Sequence, residues 1–166
     1  MASASLSAEL FRRVMGSFPT GVTVVTVERE PGKVHGMTAN SFTSVSLDPL
    51  LILVCVDQNA QLLFYLKLQR RFGVNILSGN QQALSEHFAK PHPPPEEERE
   101  LNVQFEWTPA GIPVLAGALA QLTCNVAAQY MAGDHTIFIG EVESIRESDG
   151  EPLLYHRRQY RQLPPQ

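Results

Sequence analysis

A run of ten residues in the last third of the chain alternates between apolar and polar side chains, and a turn follows it. In residues 121–130 every second side chain is apolar, and this face is predicted to be core. Its members are Leu122, Cys124, Val126, Ala128 and Tyr130. A turn at residues 132–134 then leads into a second extended run, residues 137–145. Two long extended runs joined by a short turn containing glycine predict an antiparallel hairpin.

The rest of the chain contains further short strands separated by short helices. Strands are predicted over residues 22–27, 34–47, 50–56 and 72–77, with a hairpin turn at 30–33 and with 50–56 as a central buried strand. A first helix is predicted between an N-cap at Ser7 and a stop at Gly16, with one of its faces packed. Two further helices are predicted over residues 58–66 and 80–88. Residues 91–98 are rich in proline and predict an exposed loop, and a helical turn can start within 96–100.

These elements indicate a mainly β fold, an antiparallel barrel with short helices, rather than a doubly wound parallel sheet. A length of 166 residues suits one domain, with its core in about residues 7–156. The sequence has no GxGxxG motif after a strand and no GxxxxGK[ST] motif. A bound nucleotide would therefore be held without a Rossmann or P-loop cradle.

Composition argues against two classes of partner. The net charge is −4 and the basic residues form no stripe, which argues against nucleic acid. The longest apolar run, residues 50–56, is far shorter than the roughly 20 residues of a membrane-spanning helix. Residues 1–5 lack the basic start of a secretion signal. We therefore expect a soluble cytoplasmic protein without a membrane partner.

The cysteines and histidines give no support for a metal site. Cys55 and Cys124 each lie in an apolar run and are predicted to be buried core thiols. The five histidines form no HExxH or other compact pair of ligands. We expect no bound metal.

Residues 36–46 combine hydroxyl and carboxamide groups with small apolar side chains on one extended segment. The polar groups can hydrogen-bond a heterocycle, a sugar chain and a phosphate, and the apolar ones can contact a ring. The polar residues are Thr38, Asn40, Ser41, Thr43, Ser44 and Ser46, and the apolar ones are Met37, Ala39 and Val45. A half-exposed strand without any ligand predicts a similar composition.

A second motif is Gly-Asp-His-Thr-Ile-Phe-Ile-Gly at residues 133–140. It places one imidazole, His135, at the start of an apolar strand. A single histidine beside a turn is more often structural than functional.

Together the two motifs resemble the flavin reductase-like family, and the resemblance extends from about Phe11 to about Tyr155. It implies an FMN-binding split barrel, a Greek-key fold that forms homodimers. It also implies an NAD(P)H:flavin oxidoreductase that uses FMN, or FAD, with NADH or NADPH and supplies reduced flavin to a separate monooxygenase.

The resemblance also assigns residues to the site. His135 would position the nicotinamide rather than act as an acid. Flavin contacts would come from three parts of the chain and, more weakly, from its C-terminal end. They are Met37, Thr38, Ala39, Asn40, Ser41, Ser44, Val45, Ser46, Cys55, Val56, Asp57, Asn59, Ala60, Phe88, Lys90 and Tyr155.

Homodimer formation is expected to complete the cleft, with Phe42, Phe64 and Phe88 as candidates to close it from a neighbouring subunit. Two alternatives remain at this point. One is an oxidase or flavin store of the same fold, and the other is a non-catalytic split-barrel module that binds flavin or another ligand. The Gly-Asp-His motif favours the reductase, because a store does not need to seat a nicotinamide.

Overall fold

The computed structural model describes residues 6–163, and within them it contains four helices and twelve strands. The helices are Ala8–Met15 (α1), Gln61–Gln69 (α2), Gln82–Phe88 (α3) and Pro95–Glu100 (α4). The strands are Thr20–Gly21 (β1), Thr23–Glu30 (β2), Lys33–Ala39 (β3), Phe42–Leu47 (β4), Leu50–Asp57 (β5), Arg71–Ile76 (β6), Phe105–Trp107 (β7), Pro113–Leu115 (β8), Ala120–Ala132 (β9), His135–Glu147 (β10), Leu154–His156 (β11) and Gln159–Arg161 (β12). The expected mainly β, antiparallel fold is confirmed. Residues 1–5, considered above for a signal sequence, lie outside the described part.

Seven strands form one antiparallel sheet in the order β3-β2-β6-β9-β10-β5-β4. Its two edge strands, β3 and β4, are separated in the chain by only Asn40 and Ser41, so the sheet must curl until its edges approach each other. Ser41 fixes this corner on β5: its carbonyl accepts from the Cys55 amide at 3.1 Å, and its hydroxyl donates to the Cys55 carbonyl at 3.0 Å. The single extended segment predicted over residues 34–47 is therefore two strands.

The inner face of the curled sheet holds the main hydrophobic core, and α2 covers one end of it. Alternate residues of β5 point inward, so Ile52, Val54 and Val56 are buried while their neighbours are half-exposed. The strand predicted to be buried over residues 50–56 is therefore buried only at alternate positions. Other members of the core are Val25, Val27, Leu62, Leu66, Phe72, Val74, Cys124, Val126 and Phe138.

A second, smaller core lies on the other face of β2. Val22, Val24 and Leu77 form one side of it, and Phe88 of α3, Leu115 of β8 and Leu153 before β11 close it. Asn75 connects the layers, because its side-chain amide donates to the Val24 carbonyl at 2.8 Å and its side-chain oxygen accepts from the Leu115 amide at 2.7 Å. The short strands β7 and β8 in this layer were not predicted, since three residues are too few to show a period.

The long hairpin of β9 and β10 forms as predicted, with Ala132 opposite His135 across a two-residue turn. Two register shifts interrupt it, one of them beside Ala127. A bulge reverses which side chains face inward, and beyond it Tyr130 is 59% exposed. The single apolar face predicted for residues 121–130 is therefore wrong at this end, and it is wrong at the other end, where Gln121 and Thr123 are buried.

Helix α1 begins and ends where predicted. The Ser7 hydroxyl accepts from the Leu10 amide at 3.1 Å, and the Gly16 amide donates to the Arg12 carbonyl at 2.9 Å. The expectation that one face packs is wrong, because no residue of α1 is buried in the single chain, and Phe11 is 67% exposed.

Burial separates the two cysteines. Cys124 is fully buried, and burial, with a smaller contribution from the charge of Glu143, raises the pKa of its thiol to about 12. Cys55 is half-buried on the outer face of β5, and burial raises the pKa of its thiol as well. The prediction of a core thiol is right for Cys124 and wrong for Cys55. Both thiols are free.

Two negative findings concern residues 6–163 only. None of their helices combines the length and the hydropathy needed to cross a bilayer. Their His, Cys, Asp and Glu side chains form no group of three or more that could hold a metal ion.

Candidate functional site

A groove of about 450 Å³ lies over edge strand β3, between the start of α2 and the end of α3. Its volume is in the range of small-molecule sites, roughly 300 to 1,000 Å³. Its lining mixes backbone, apolar and charged groups: His35, Gly36, Met37, Asp57, Asn59, Ala60, Gln61, Phe88, Ala89, Lys90, Pro91 and His92. Six predicted site residues are therefore brought together from three separate parts of the chain, namely Met37, Asp57, Asn59, Ala60, Phe88 and Lys90.

Gly36 and Phe88 define the floor of the groove. A Cβ atom built on Gly36 would lie 2.7 Å from two carbons of the Phe88 ring, so only glycine allows the ring to pack against β3. Phe88 is 3% exposed and also packs near Phe105, with 6.1 Å between ring centroids. Phe88 is therefore held within its own chain, and the prediction that it closes the cavity of a neighbouring subunit is wrong.

The N-terminus of α2 opens onto the groove. Ala60 is its N-cap and supplies no side-chain hydrogen bond, so the first amides of the helix have no side-chain acceptor from the cap. The preceding turn is fixed by Asp57, whose Oδ1 accepts from the Asn59 amide at 2.7 Å. This turn delays the helix to Gln61, three residues after its predicted start at 58. Free amides at a helix N-terminus favour an anion.

Lys90 supplies the cation of the groove, and it is paired with α4. Its Nζ donates to Glu97 Oε1 at 2.5 Å, and Glu97 Oε2 lies 3.0 Å from Nδ1 of the buried His87. The pKa of the Glu97 carboxyl is lowered, mainly by the hydrogen bond from Lys90 and next by the hydrogen bond with His87. The resulting ion pair holds α4 against the end of α3.

The proline-rich segment forms one wall of the groove rather than a fully solvated loop. His92 Nδ1 lies 3.1 Å from Gln61 Nε2, which connects the segment to α2. On the inner side, the ring of His35 lies 5.4 Å from the ring of Tyr65, centroid to centroid. Burial, and to a smaller extent the charge of Arg29, lowers the pKa of His35.

His135 lies directly opposite Asp57 in the register of β10 and β5, so both side chains leave the same face of the sheet. Its Nδ1 is 2.7 Å from Asp134 Oδ1, and this hydrogen bond is the main cause of a lowered pKa of Asp134. An ionised carboxylate only accepts hydrogen bonds, so the proton of a neutral His135 ring is held on Nδ1. Nε2 is then left as an acceptor. His135 itself does not line the groove, and it is connected to the groove only through Asp57 on the neighbouring strand.

Most of the hydroxyl-rich segment does not line the groove. The Thr38 hydroxyl donates to the Ser85 carbonyl at 2.7 Å, and the Ser46 hydroxyl accepts from the Asp48 amide at 3.2 Å. Ser41 fixes the corner between β3 and β4, as described above. The side chains of Asn40, Ser44 and Val45 are exposed outside the groove.

Four other predicted contacts also lie apart from the groove. The side chains of Ala39 and Val56 are buried in the core, which leaves only their backbone for a ligand. Cys55 lies on the outer face of β5, and Tyr155 packs against Tyr160 with 5.2 Å between centroids.

Six residues of the groove were not among the predicted contacts: His35, Gly36, Gln61, Ala89, Pro91 and His92. His35 could have been found from sequence, because it precedes Met37 by two positions and so shares its face of β3. Gln61, Pro91 and His92 meet only through the packing of α2 against the proline-rich segment.

This chain is similar to known proteins in both sequence and fold. The model of the flavin reductase like domain matches residues 15–164. An NADH-dependent FAD reductase of Streptomyces globisporus is 43% identical over 159 residues, covering 93% of this chain and 85% of the relative. The solved structure of flavin reductase PheA2 in its native state superposes with a TM-score of 0.88 at 46% identity, covering 96% of this chain and all of that one. The flavin reductase of styrene monooxygenase from Pseudomonas putida S12 gives a TM-score of 0.83 at 36% identity, covering 94% and 98%.

Proposed function

This chain belongs to the flavin reductase like domain family, and from that premise we propose that it catalyses the reduction of flavin by NADH and delivers the reduced flavin to a separate oxygenase. The observation that carries the proposal is the family match over residues 15–164, together with relatives that are themselves NADH-dependent reductases. The flavin supplies the redox chemistry, accepting a hydride from the nicotinamide. The protein has to bind both molecules and align them.

The groove over β3 is the proposed flavin site, and its groups suit the parts of a flavin. Met37 and the ring of Phe88 provide apolar contact, and the half-exposed Lys90 and the free amides of α2 provide donors for a phosphate. Asp57 and Asn59 offer polar groups at the rim. The donor set therefore fits FMN and equally the FMN half of FAD.

His135 is the proposed positioning residue for the nicotinamide. With Nδ1–H held by Asp134, Nε2 can accept from the carboxamide of the pyridine nucleotide. A neutral imidazole is sufficient for this task, because hydride transfer depends on alignment of the two rings rather than on proton transfer.

We further propose that the protein works as a homodimer in the cytoplasm, where reduced pyridine nucleotides are produced. Phe64 on α2 is 64% exposed, and Phe42 on β4 is half-buried beside the core. Exposed aromatic side chains of this size are typical of interfaces.

The test is an anaerobic titration followed by absorbance. The purified protein is mixed with FMN or FAD, binding is measured, and NADH or NADPH is then added. The proposal expects flavin binding and rapid loss of the flavin absorbance with NADH. Binding without reduction by either nucleotide would leave a flavin-binding module, and absence of binding at saturating flavin would refute both.

A further inference from the structure

A second cleft, of about 580 Å³, lies between the end of α1 and the turn joining β11 to β12. Four arginines line it, Arg12 and Arg13 from α1 and Arg157 and Arg158 from the turn. We call it the arginine cleft. It shares no lining residue with the groove over β3.

The arginine cleft concentrates positive charge on an acidic protein. Four of the 13 basic residues lie here, although the chain as a whole carries a net charge of −4. Within residues 6–163, none of the four guanidinium groups forms an ion pair or a side-chain hydrogen bond, and Glu9 is the one carboxylate lining the cleft. Guanidinium groups recognise phosphate oxygens through paired hydrogen bonds.

Helix stability explains only half of the cluster. Arg12 and Arg13 lie in the last turn of α1, where any cation interacts favourably with the helix dipole. Arg157 and Arg158 belong to no helix. The Arg157 amide donates to the Gly16 carbonyl at 2.8 Å, and this bond joins the backbones of the two walls.

The turn itself carries arginine where the backbone favours other residues. Arg157 and Arg158 are the two central residues of the hairpin, with φ of 50° and 64°. Positive φ at both positions is the geometry that normally selects Asn-Gly. Side chains that oppose the local backbone preference are a mark of functional positions.

We propose that the arginine cleft binds the pyrophosphate group of a nucleotide substrate of the reductase. This inference rests on the proposed function, which supplies two such substrates, the pyridine nucleotide and FAD. Their pyrophosphate carries two negative charges and oxygens on both sides, which matches guanidinium pairs on two facing walls.

The cleft also lies within electrostatic range of the His135 turn. The hydrogen bond and charge of His135 are the main causes of the lowered pKa of Asp134, and the charge of Arg12 contributes as well. The charge of one residue of the arginine cleft is therefore felt at the turn that holds the His135 ring.

The test variant is Arg157→Asn with Arg158→Gly, which removes two charges and installs the residues that the turn prefers. Its melting temperature is expected to equal or exceed that of the unsubstituted protein, so lost binding cannot be attributed to unfolding. The control is Lys67→Gln with Arg99→Gln, which removes two positive charges from α2 and α4, away from the cleft.

Three measurements decide the proposal and the source of the pyrophosphate. Calorimetric titration with inorganic pyrophosphate should show binding to the unsubstituted protein and the control, and at least ten-fold weaker binding to the variant. If the pyridine nucleotide is the ligand, kcat/KM for NADH relative to a phosphate-free N-benzyl dihydronicotinamide falls at least ten-fold in the variant. If FAD is the ligand, the affinity of the variant for FAD, relative to its affinity for riboflavin, falls instead.

The proposal would be overturned if the variant and the unsubstituted protein bound pyrophosphate equally, or if neither bound it. It would also be overturned if the variant changed neither the kcat/KM ratio of NADH to the phosphate-free donor nor the affinity ratio of FAD to riboflavin. An unsubstituted protein that reduces no flavin would refute the proposed function, and the pyrophosphate titration would still decide whether the cleft binds an anion.

Discussion

His135 and Asp57 face each other across the antiparallel pair of β10 and β5, although 77 residues separate them in the chain. Asp57 also lines the groove over β3 and fixes the turn that starts α2. One residue pair thus connects the proposed nicotinamide position with the proposed flavin phosphate position.

Replacing His135 with alanine should raise the KM for NADH several-fold while flavin affinity stays nearly unchanged. One lost neutral hydrogen bond corresponds to ~0.5–1.5 kcal/mol. Steady-state kinetics and flavin titration measure the two effects. Asp134→Asn is the matched variant, and it should raise the KM for NADH less than His135→Ala does. An amide can still hydrogen-bond Nδ1 of His135, but it does not determine which ring nitrogen carries the proton. Equal loss of flavin affinity in His135→Ala would show that the histidine contacts the flavin instead.

Replacing Lys90 with methionine should weaken FMN binding by ~1.5–3 kcal/mol, the usual contribution of a hydrogen bond to a charged group. Riboflavin, which lacks the phosphate, should bind the variant and the unsubstituted protein alike. Fluorescence titration with both flavins measures this difference. Lys67→Met at the far end of α2 is the control. A loss of the same size for riboflavin would mean that Lys90 supports the groove without contacting phosphate.

Gly36→Ala should destabilise the fold by ~1–3 kcal/mol, because its Cβ would lie 2.7 Å from the Phe88 ring in a packed region. The displaced ring should also weaken flavin binding. Chemical denaturation and flavin titration test the two expectations. Gly21→Ala is the control, since no atom lies within 4 Å of its added Cβ. Full stability in Gly36→Ala would show that the floor of the groove can move.

His35 should make the protein less stable in mild acid. Its folded-state pKa lies below the ordinary value of about 6.5, mainly because of burial. The unfolded chain therefore binds the proton first as the pH falls, and stability decreases from about pH 6.5 down to the lowered pKa. His35→Phe keeps a ring beside Tyr65 and removes the titrating group, so its free energy of unfolding should change less with pH. Parallel pH profiles for the two proteins would contradict this assignment.

Phe64→Glu should shift the protein from dimer towards monomer and reduce turnover with it. A charge at an aromatic interface position is unfavourable unless it finds a partner. Light scattering over a dilution series measures the shift, and Trp107→Glu is the control at another exposed aromatic position. Full turnover by a flavin-saturated monomer would rule out a site shared between subunits.

Local sequence determined those features that depend on neighbouring residues. The hydroxyl of Ser7 can reach only the amides of its own first turn, so the start of α1 was predictable. The turn at 132–134 joins strands that follow each other directly, so the long hairpin was predictable as well. The motifs around residues 36–46 and 133–140 identified the family, and the family match agrees.

Tertiary structure alone decided which of the predicted residues share a site. Met37, Ala60 and Lys90 meet because the sheet curls and sets α2 and α3 on the two sides of β3, and no local pattern encodes that distance. The bulge at Ala127 turned Tyr130 outward, although its spacing from Cys124 and Val126 suggested a common face. Local patterns fix backbone conformation within a few residues, whereas the long-range pairing of β5 with β10 and of β2 with β6 depends on burying one core from distant parts of the chain.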